Sequence, residues 1–251
     1  MTVHYAVDRA IATVTLDAPE NRNALSAALV ESVSTHLRSA SSDPAVRAVV
    51  LTHTGRTFCA GADLKEQASE GGPARGTQRM LDLLRTVIES PKPVLARIDG
   101  NVRAGGIGLV GACDIAVAGP ATTFAFTEVR LGLAPAIISL TTRGRMSERA
   151  VSRYYLTGET FDAAAAVSAG LVTTATDDVD TEVGAICDAL RTASPQGLAE
   201  SKRLTTTSAL AGFDDRAKQL QALSQRLFES DEAREGITAF LEKRPPQWAR
   251  Q

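Results

Sequence analysis

Apolar residues recur along this chain at two periods, one characteristic of strands and one of helices. Ile11 to Leu16 alternates β-branched or apolar residues with smaller ones and runs into Asp17-Ala18-Pro19-Glu20-Asn21, which predicts a strand and then a turn. Leu29, Val30, Val33 and Leu37 share one face of a 3.6-residue repeat, with Ser26 as N-cap and Asp43-Pro44 as the stop. Val46 to Thr52 is nearly continuous in apolar residues, as expected of a strand covered on both faces. Met80, Leu81, Leu83, Leu84, Val87 and Ile88 predict a second helix over Thr77 to Ser90. Pro91-Lys92-Pro93 then resets the backbone ahead of a strand at Val94 to Ile98, because proline disfavours helix in the residue before it. A Gly-rich turn at Gly100 to Gly108 precedes strand patterns at Asp114 to Ala118 and Thr123 to Phe126.

This alternation makes the first 175 or so residues one α/β unit. From Val179 onward the strand pattern stops, and helices are predicted at Val179 to Arg191, Pro195 to Ser208, Asp214 to Phe228 and Asp231 to Leu241. Ser194-Pro195 supplies a start signal, Ser as cap and Pro at the first helical position. The expected division is a core at residues 1–190 and a helical region at 191–251, whose apolar faces suit packing on another subunit.

Composition narrows the chemistry mainly by exclusion. Among 251 residues, Lys and Arg number 27 against 29 Asp and Glu, and the formal charge of -2 offers no field for nucleic acid or anionic lipid. No apolar run approaches the roughly 20 residues of a membrane span, and Met1 to Asp8 lacks a signal-peptide pattern, so the expected compartment is the cytoplasm. Cys59, Cys113 and Cys187 lie far apart, as buried thiols in a reducing environment do. His4, His36 and His53 are scattered without metal-ligand spacing, so no metal site is expected. Ala166-Val167-Ser168-Ala169-Gly170 lacks the first glycine of a nucleophile elbow and reads as a helix C-terminus.

Two loops of small residues remain. Gly106-Ile107-Gly108-Leu109-Val110-Gly111 fits G-x-G-x-x-G after a strand and before a helix, but the next strand ends in Gly119-Pro120 rather than the acid a dinucleotide site needs. Its glycines are equally compatible with close packing or positive φ. They also suit the approach of a thioester carbonyl to backbone N–H groups at a helix N-terminus. Phe58-Cys59-Ala60-Gly61-Ala62-Asp63-Leu64-Lys65 has the same character, so the two loops together can form a two-donor pocket.

Thr57 to Lys65 resembles the signature loop of the crotonase superfamily, the enoyl-CoA hydratase/isomerase family. Further similar segments follow in order: Asn21-Arg22-Asn23-Ala24-Leu25, Pro91-Lys92-Pro93-Val94, Ala104-Gly105-Gly106 leading to Cys113-Asp114-Ile115, Phe126 to Leu133, Leu156-Thr157-Gly158, and Glu235-Gly236-Ile237 to Lys243-Arg244. The resemblance implies an α/β spiral of ββα units with a C-terminal helical region that forms homotrimers, commonly paired into homohexamers. It implies an acyl-CoA substrate, with no cofactor other than the coenzyme A that the substrate carries. Ala62 and Gly105 would supply the two oxyanion-hole N–H groups, and Ala60, Ala62 and Leu64 would line the adenine site. Arg22 and Ala24 would lie along the coenzyme A path, with Asp63 and Gly106 beside it. Phe240 and Lys243 match tail positions that in relatives reach the coenzyme A of a neighbouring subunit.

The resemblance also marks a departure. Hydratases of the best-known type use two glutamates; Glu128 matches the second, whereas Gly108 stands at the first. Ala134-Pro135-Ala136-Ile137-Ile138-Ser139 also makes the following wall bulkier and more apolar than the family pattern, similar to relatives that act on branched acyl-CoAs. Asp63, Arg103 and Tyr154 are the polar candidates to replace the missing carboxylate, and sequence does not choose among them. The leading expectation is hydration of a 2-enoyl-CoA with Glu128 as the proton carrier. The alternatives are Δ3,Δ2-enoyl-CoA isomerisation by the same glutamate and a non-catalytic acyl-CoA-binding paralogue.

Overall fold

The computed structural model describes residues 2–64, 66 and 72–249. Its larger sheet contains β1 (Val3–Asp8), β2 (Ile11–Leu16), β3 (Ala48–His53), β5 (Val94–Ile98), β7 (Ile115–Ala118) and β10 (Thr174–Ala175), in that spatial order. All neighbours are parallel except β1 and β2. The smaller sheet is ordered β4 (Thr57–Cys59), β6 (Asn101–Arg103), β8 (Thr123–Ala125) and β9 (Phe161–Asp162), with only β9 antiparallel. Each of β3, β5 and β7 therefore feeds, through a short turn, a strand of the second sheet. Helices α2 (Gly72–Glu89) and α3 (Gly105–Ala112) follow β4 and β6, which builds the expected ββα spiral.

The helix α1 (Ala27–Ser42) begins where its sequence signal placed it, with Ser26 Oγ accepting from Leu29 N–H. Leu29, Val33 and Leu37 are fully buried, together with Leu83, Leu84 and Val87 of α2. The other face of the larger sheet is covered by α7 (Val179–Thr192), whose Val179, Val183 and Cys187 pack on Ile11, Ala48, Val50, Leu95 and Val117. Burial on both faces explains why the parallel strands read as continuous apolar runs.

Strand β1 escapes the sequence pattern for two reasons. It is an edge strand with mostly exposed side chains, and its hairpin turns through Arg9 and Ala10 at φ 43° and 65°. That turn ordinarily advertises itself with Asn-Gly or Asp-Gly, so Arg-Ala carries no signal.

Beyond β8 the chain forms a 3-10 turn (Thr127–Leu131), α4 (Ser139–Thr142), α5 (Glu148–Thr157) and α6 (Ala163–Ala169). The tail then adds α8 (Pro195–Leu210) and α9 (Phe213–Phe228), which lie against α2, and α10 (Asp231–Leu241), which lies against the 3-10 turn. Gly236 permits that last approach, since a Cβ there would sit 2.5 Å from the Leu131 carbonyl carbon. Lys202 fastens α8 to the core: its buried ammonium lies 2.8 Å from Asp114 Oδ2 and donates to the carbonyls of Val87 and Lys92 at 2.8 and 3.1 Å.

Candidate active site

Strands β4 and β6 are parallel neighbours, so the loops leaving their C-terminal ends lie side by side. Gly61 turns at φ +88°, and a Cβ on it would lie 2.9 Å from Ala104 Cβ and 3.2 Å from Gly105 N. Only glycine allows the loops to interlock this closely. On the facing loop Ala104 is held at φ 44° and ψ -117°, a sparsely populated conformation costing roughly 1–3 kcal/mol. Its N–H donates to Ala125 O, and the turn presents Gly105 N–H at the start of α3. Leu25 N–H to Gly61 O and Ala60 N–H to Arg22 O stitch the first loop to the Arg22–Leu25 segment.

Neither Ala62 N–H nor Gly105 N–H has a protein acceptor among the described residues. The two groups are close, since a Cβ built on Gly105 would lie 3.6 Å from Ala62 N. Behind them α3 is buried from Gly106 to Ala112 and wholly apolar in side chains, so its N-terminal positive end is poorly screened. Such an arrangement can accept a developing negative charge on oxygen.

Both donors face a cavity of about 470 Å³. Arg22, Ala24, Ala60, Ala62, Asp63, Leu64, Gly105, Glu128 and Phe240 all line it, so most residues anticipated from sequence are brought together. Gly106 is not among the lining residues: it is buried against Cys59. Lys243 is exposed just past α10 and does not line the cavity either. Phe240 lines the cavity of its own chain, because α10 folds back onto the 3-10 turn. Lys65, the last residue of the signature segment, lies outside the described residues.

Glu128 enters from the 3-10 turn after β8. Its Oε2 is enclosed and has no hydrogen-bond partner among the described residues, and burial raises the carboxyl from its ordinary 4.5 to about 7, opposed by a hydrogen bond from its own backbone. A carboxyl balanced near neutrality can both accept and return a proton. Nearby, Tyr155 packs on Phe126 and its hydroxyl lies 2.5 Å from Thr142 Oγ1; burial chiefly pushes this phenol up to about 12.

Among the described residues, Glu128 and Asp63 are the carboxylates that line the cavity. Gly108 lies behind Ile138 and Met80, and both of those side chains line the cavity. Asp63 Oδ2 accepts from Asn21 Nδ2 at 2.7 Å and Oδ1 from Glu66 N–H at 3.2 Å, which commits that carboxylate to its loop. The Arg103 guanidinium is spent on Val102 O, Thr123 O and Oγ1, and Asn101 Oδ1. Tyr154 stacks on Phe161 at 3.8 Å and does not line the cavity. The apolar wall expected from Ala134 to Ser139 is present, with Ala134 to Ile138 all lining the cavity.

The G-x-G-x-x-G segment is resolved in favour of packing and backbone approach rather than nucleotide binding. Cβ atoms on Gly106, Gly108 and Gly111 would meet Cys59 O, Ile138 Cγ2 and Thr141 O at 2.7, 2.4 and 3.0 Å. Asp114 accepts from Val94 N–H and pairs with Lys202 instead of facing a ribose. Asn23 is a residue whose part the pattern did not reveal. Fully buried, it donates to Thr54 O and Thr57 O and accepts from Ala18 N–H, fixing the segment that carries Arg22 and Ala24. Among the described residues, no cluster of side chains is arranged to hold a metal, and no helix is long and apolar enough to cross a membrane.

A ββα spiral with paired, unclaimed N–H groups at a buried helix N-terminus defines a crotonase-fold protein. The chain belongs to the enoyl-CoA hydratase/isomerase family, whose sequence model matches residues 6–251. It is 34% identical to a Thermus thermophilus protein named "Putative enoyl-CoA hydratase", over 95% of this chain and 97% of that one. It is 30% identical to the Escherichia coli 2,3-dehydroadipyl-CoA hydratase, over 94% and 93% of the two chains. A crystal structure of an enoyl-CoA hydratase from Mycobacterium avium is 55% identical and superposes with a TM-score of 0.92, covering 98% of both chains.

Proposed function

We propose that this chain hydrates a 2-enoyl-CoA. The observation that carries the reading is one cavity holding the Ala62 and Gly105 N–H groups together with the solvent-shielded carboxyl of Glu128. The thioester oxygen accepts from both N–H groups, which draws electron density from C3. Water forms the new C3–O bond, its proton passes to Glu128, and the C2–C3 electron pair becomes the enolate. Protonated Glu128 then delivers a proton to C2, which returns the carboxylate. A single oxyanion donor is worth about 3 kcal/mol and general acid–base catalysis roughly 10²- to 10⁴-fold, so one glutamate is compatible with turnover.

In this reading coenzyme A passes Arg22, Ala24 and Asp63, with its adenine near Ala60, Ala62 and Leu64, and no further cofactor takes part. The apolar wall at Ala134 to Ile138 favours an aliphatic, branched acyl chain. Assembly as a homotrimer or homohexamer and a cytoplasmic location complete the proposal.

One observation favours a second reaction. Ile138 and Met80 fill the space beside Gly108, so no carboxylate at that position orients water, whereas moving a proton from C2 to C4 of a 3-enoyl-CoA needs only Glu128. Straight and branched enoyl-CoAs in 2-ene and 3-ene forms, followed by mass spectrometry and chromatography, separate the possibilities. Gain of one water supports hydration, a shifted double bond selects isomerisation, and unchanged thioesters that nevertheless bind identify a non-catalytic paralogue.

A further inference from the structure

Cys59 lies against both donor loops. It is fully buried at the end of β4, and its Sγ accepts the N–H of Gly61, the residue immediately before Ala62, at 3.5 Å. On its other side lies Gly106, the residue immediately after Gly105: a Cβ there would sit 2.8 Å from Cys59 Cβ and 3.1 Å from Sγ. The sulfur thus contacts one loop through a hydrogen bond and the other through packing. Gly61 and Ala104 carry positive φ on either side of it, so the two turns press against each other with Cys59 beneath them. Backbone turns held in such conformations persist only where their surroundings over-determine them.

We propose that Cys59 is a positioning residue that sets the separation and aim of the Ala62 and Gly105 N–H groups, without touching the substrate itself. The inference rests on the oxyanion role proposed above for that pair. A thiol suits the place because it is large enough to keep Gly106 at its distance and still offers a weak acceptor to Gly61 N–H. Alanine removes both features; serine keeps an acceptor while losing volume. Burial pushes the Cys59 thiol up to about 12, in keeping with an inert joint rather than a nucleophile.

The experiment compares the full-length wild type with Cys59→Ala and Cys59→Ser. Turnover of a short straight-chain 2-enoyl-CoA is measured beside the near-ultraviolet enolate band of bound acetoacetyl-CoA. That probe ionises where its thioester oxygen meets well-aimed donors, so the band reports the donors rather than the fold. Circular dichroism and thermal melting follow folding separately. The expected result for folded Cys59→Ala is a kcat lowered roughly 10- to 100-fold with KM little changed, and a weakened enolate band. Cys59→Ser should recover part of both signals. A folded Cys59→Ala protein with an undiminished band and kcat overturns the proposal, as does Cys59→Ser that is no better than alanine. Absence of the band from the wild type overturns the oxyanion site itself, and the role of Cys59 with it.

Discussion

A Cβ on Gly108 would lie 2.4 Å from Ile138 Cγ2, so the side chain of Ile138 occupies the direction that any residue at position 108 would need. The occupation is secured from behind. Ile138 O receives the hydroxyls of Thr141 and Thr142 at 3.1 and 2.8 Å, and Thr141 Oγ1 is also 2.8 Å from Gly108 O. Gly108→Glu is therefore expected to destabilise the protein, by about 1–3 kcal/mol for overpacking alone, and to leave hydration no faster. Combining it with Ile138→Ala should recover part of the lost stability, a coupling that thermal or urea melts of the two single variants and the double variant will read. Strictly additive losses would show that the two positions do not compete for space.

Glu128→Gln removes the proposed proton carrier while keeping the cavity's shape. Turnover is expected to fall at least a hundredfold, in line with the loss of general acid–base catalysis. Binding of a saturated acyl-CoA, followed by calorimetry, should stay within a few-fold of wild type. Near-normal turnover would remove Glu128 from the mechanism.

How much of this was legible in the sequence depended on where the determining interactions lie. Helix α10 is predicted to its ends because Ser230 caps it locally, and the cavity-lining residues of the two loops are legible because backbone N–H donors require small residues in fixed order. Strand β1 was illegible because its edge position leaves no alternation, and its Arg9-Ala10 turn lacks glycine. Gly108 announced a missing carboxylate, but nothing local revealed that Ile138, thirty residues later in the chain, fills the gap together with Met80. Likewise, Lys202 and Asp114 look like ordinary charges in sequence; only tertiary packing makes them a buried pair.

That pair yields a stability prediction. The Lys202 side chain is only 2% exposed and that of Asp114 14%; Lys202 pairs with Asp114 Oδ2, and Oδ1 has no hydrogen-bond partner among the described residues. Lys202→Met deletes the cation but leaves a carboxylate, which typically costs about 3–5 kcal/mol. For a chain of this size that corresponds to a fall of roughly 10 °C in Tm. Changing both residues, as Lys202→Met with Asp114→Asn, should cost less than Lys202→Met alone; equal or greater loss would argue against an uncompensated charge as the cause.

Glu128 also predicts opposite responses of activity and stability to pH. Burial raises its pKa from 4.5 to about 7, so the folded state binds more protons than the unfolded state between those values. Its contribution to stability is consequently full below about pH 4.5 and declines as pH rises toward 7, after which it is flat. Accepting a proton requires the ionised form, however, so kcat/KM for hydration should rise with pH to a plateau above about 7. Glu128→Gln has no such titration. Its Tm relative to wild type should be more favourable at pH 8 than at pH 5, while its residual activity loses the inflection near 7. Melting curves at the two pH values and a pH–rate profile test both halves together; parallel stability profiles for the two proteins would show that the buried carboxyl is not the group responsible.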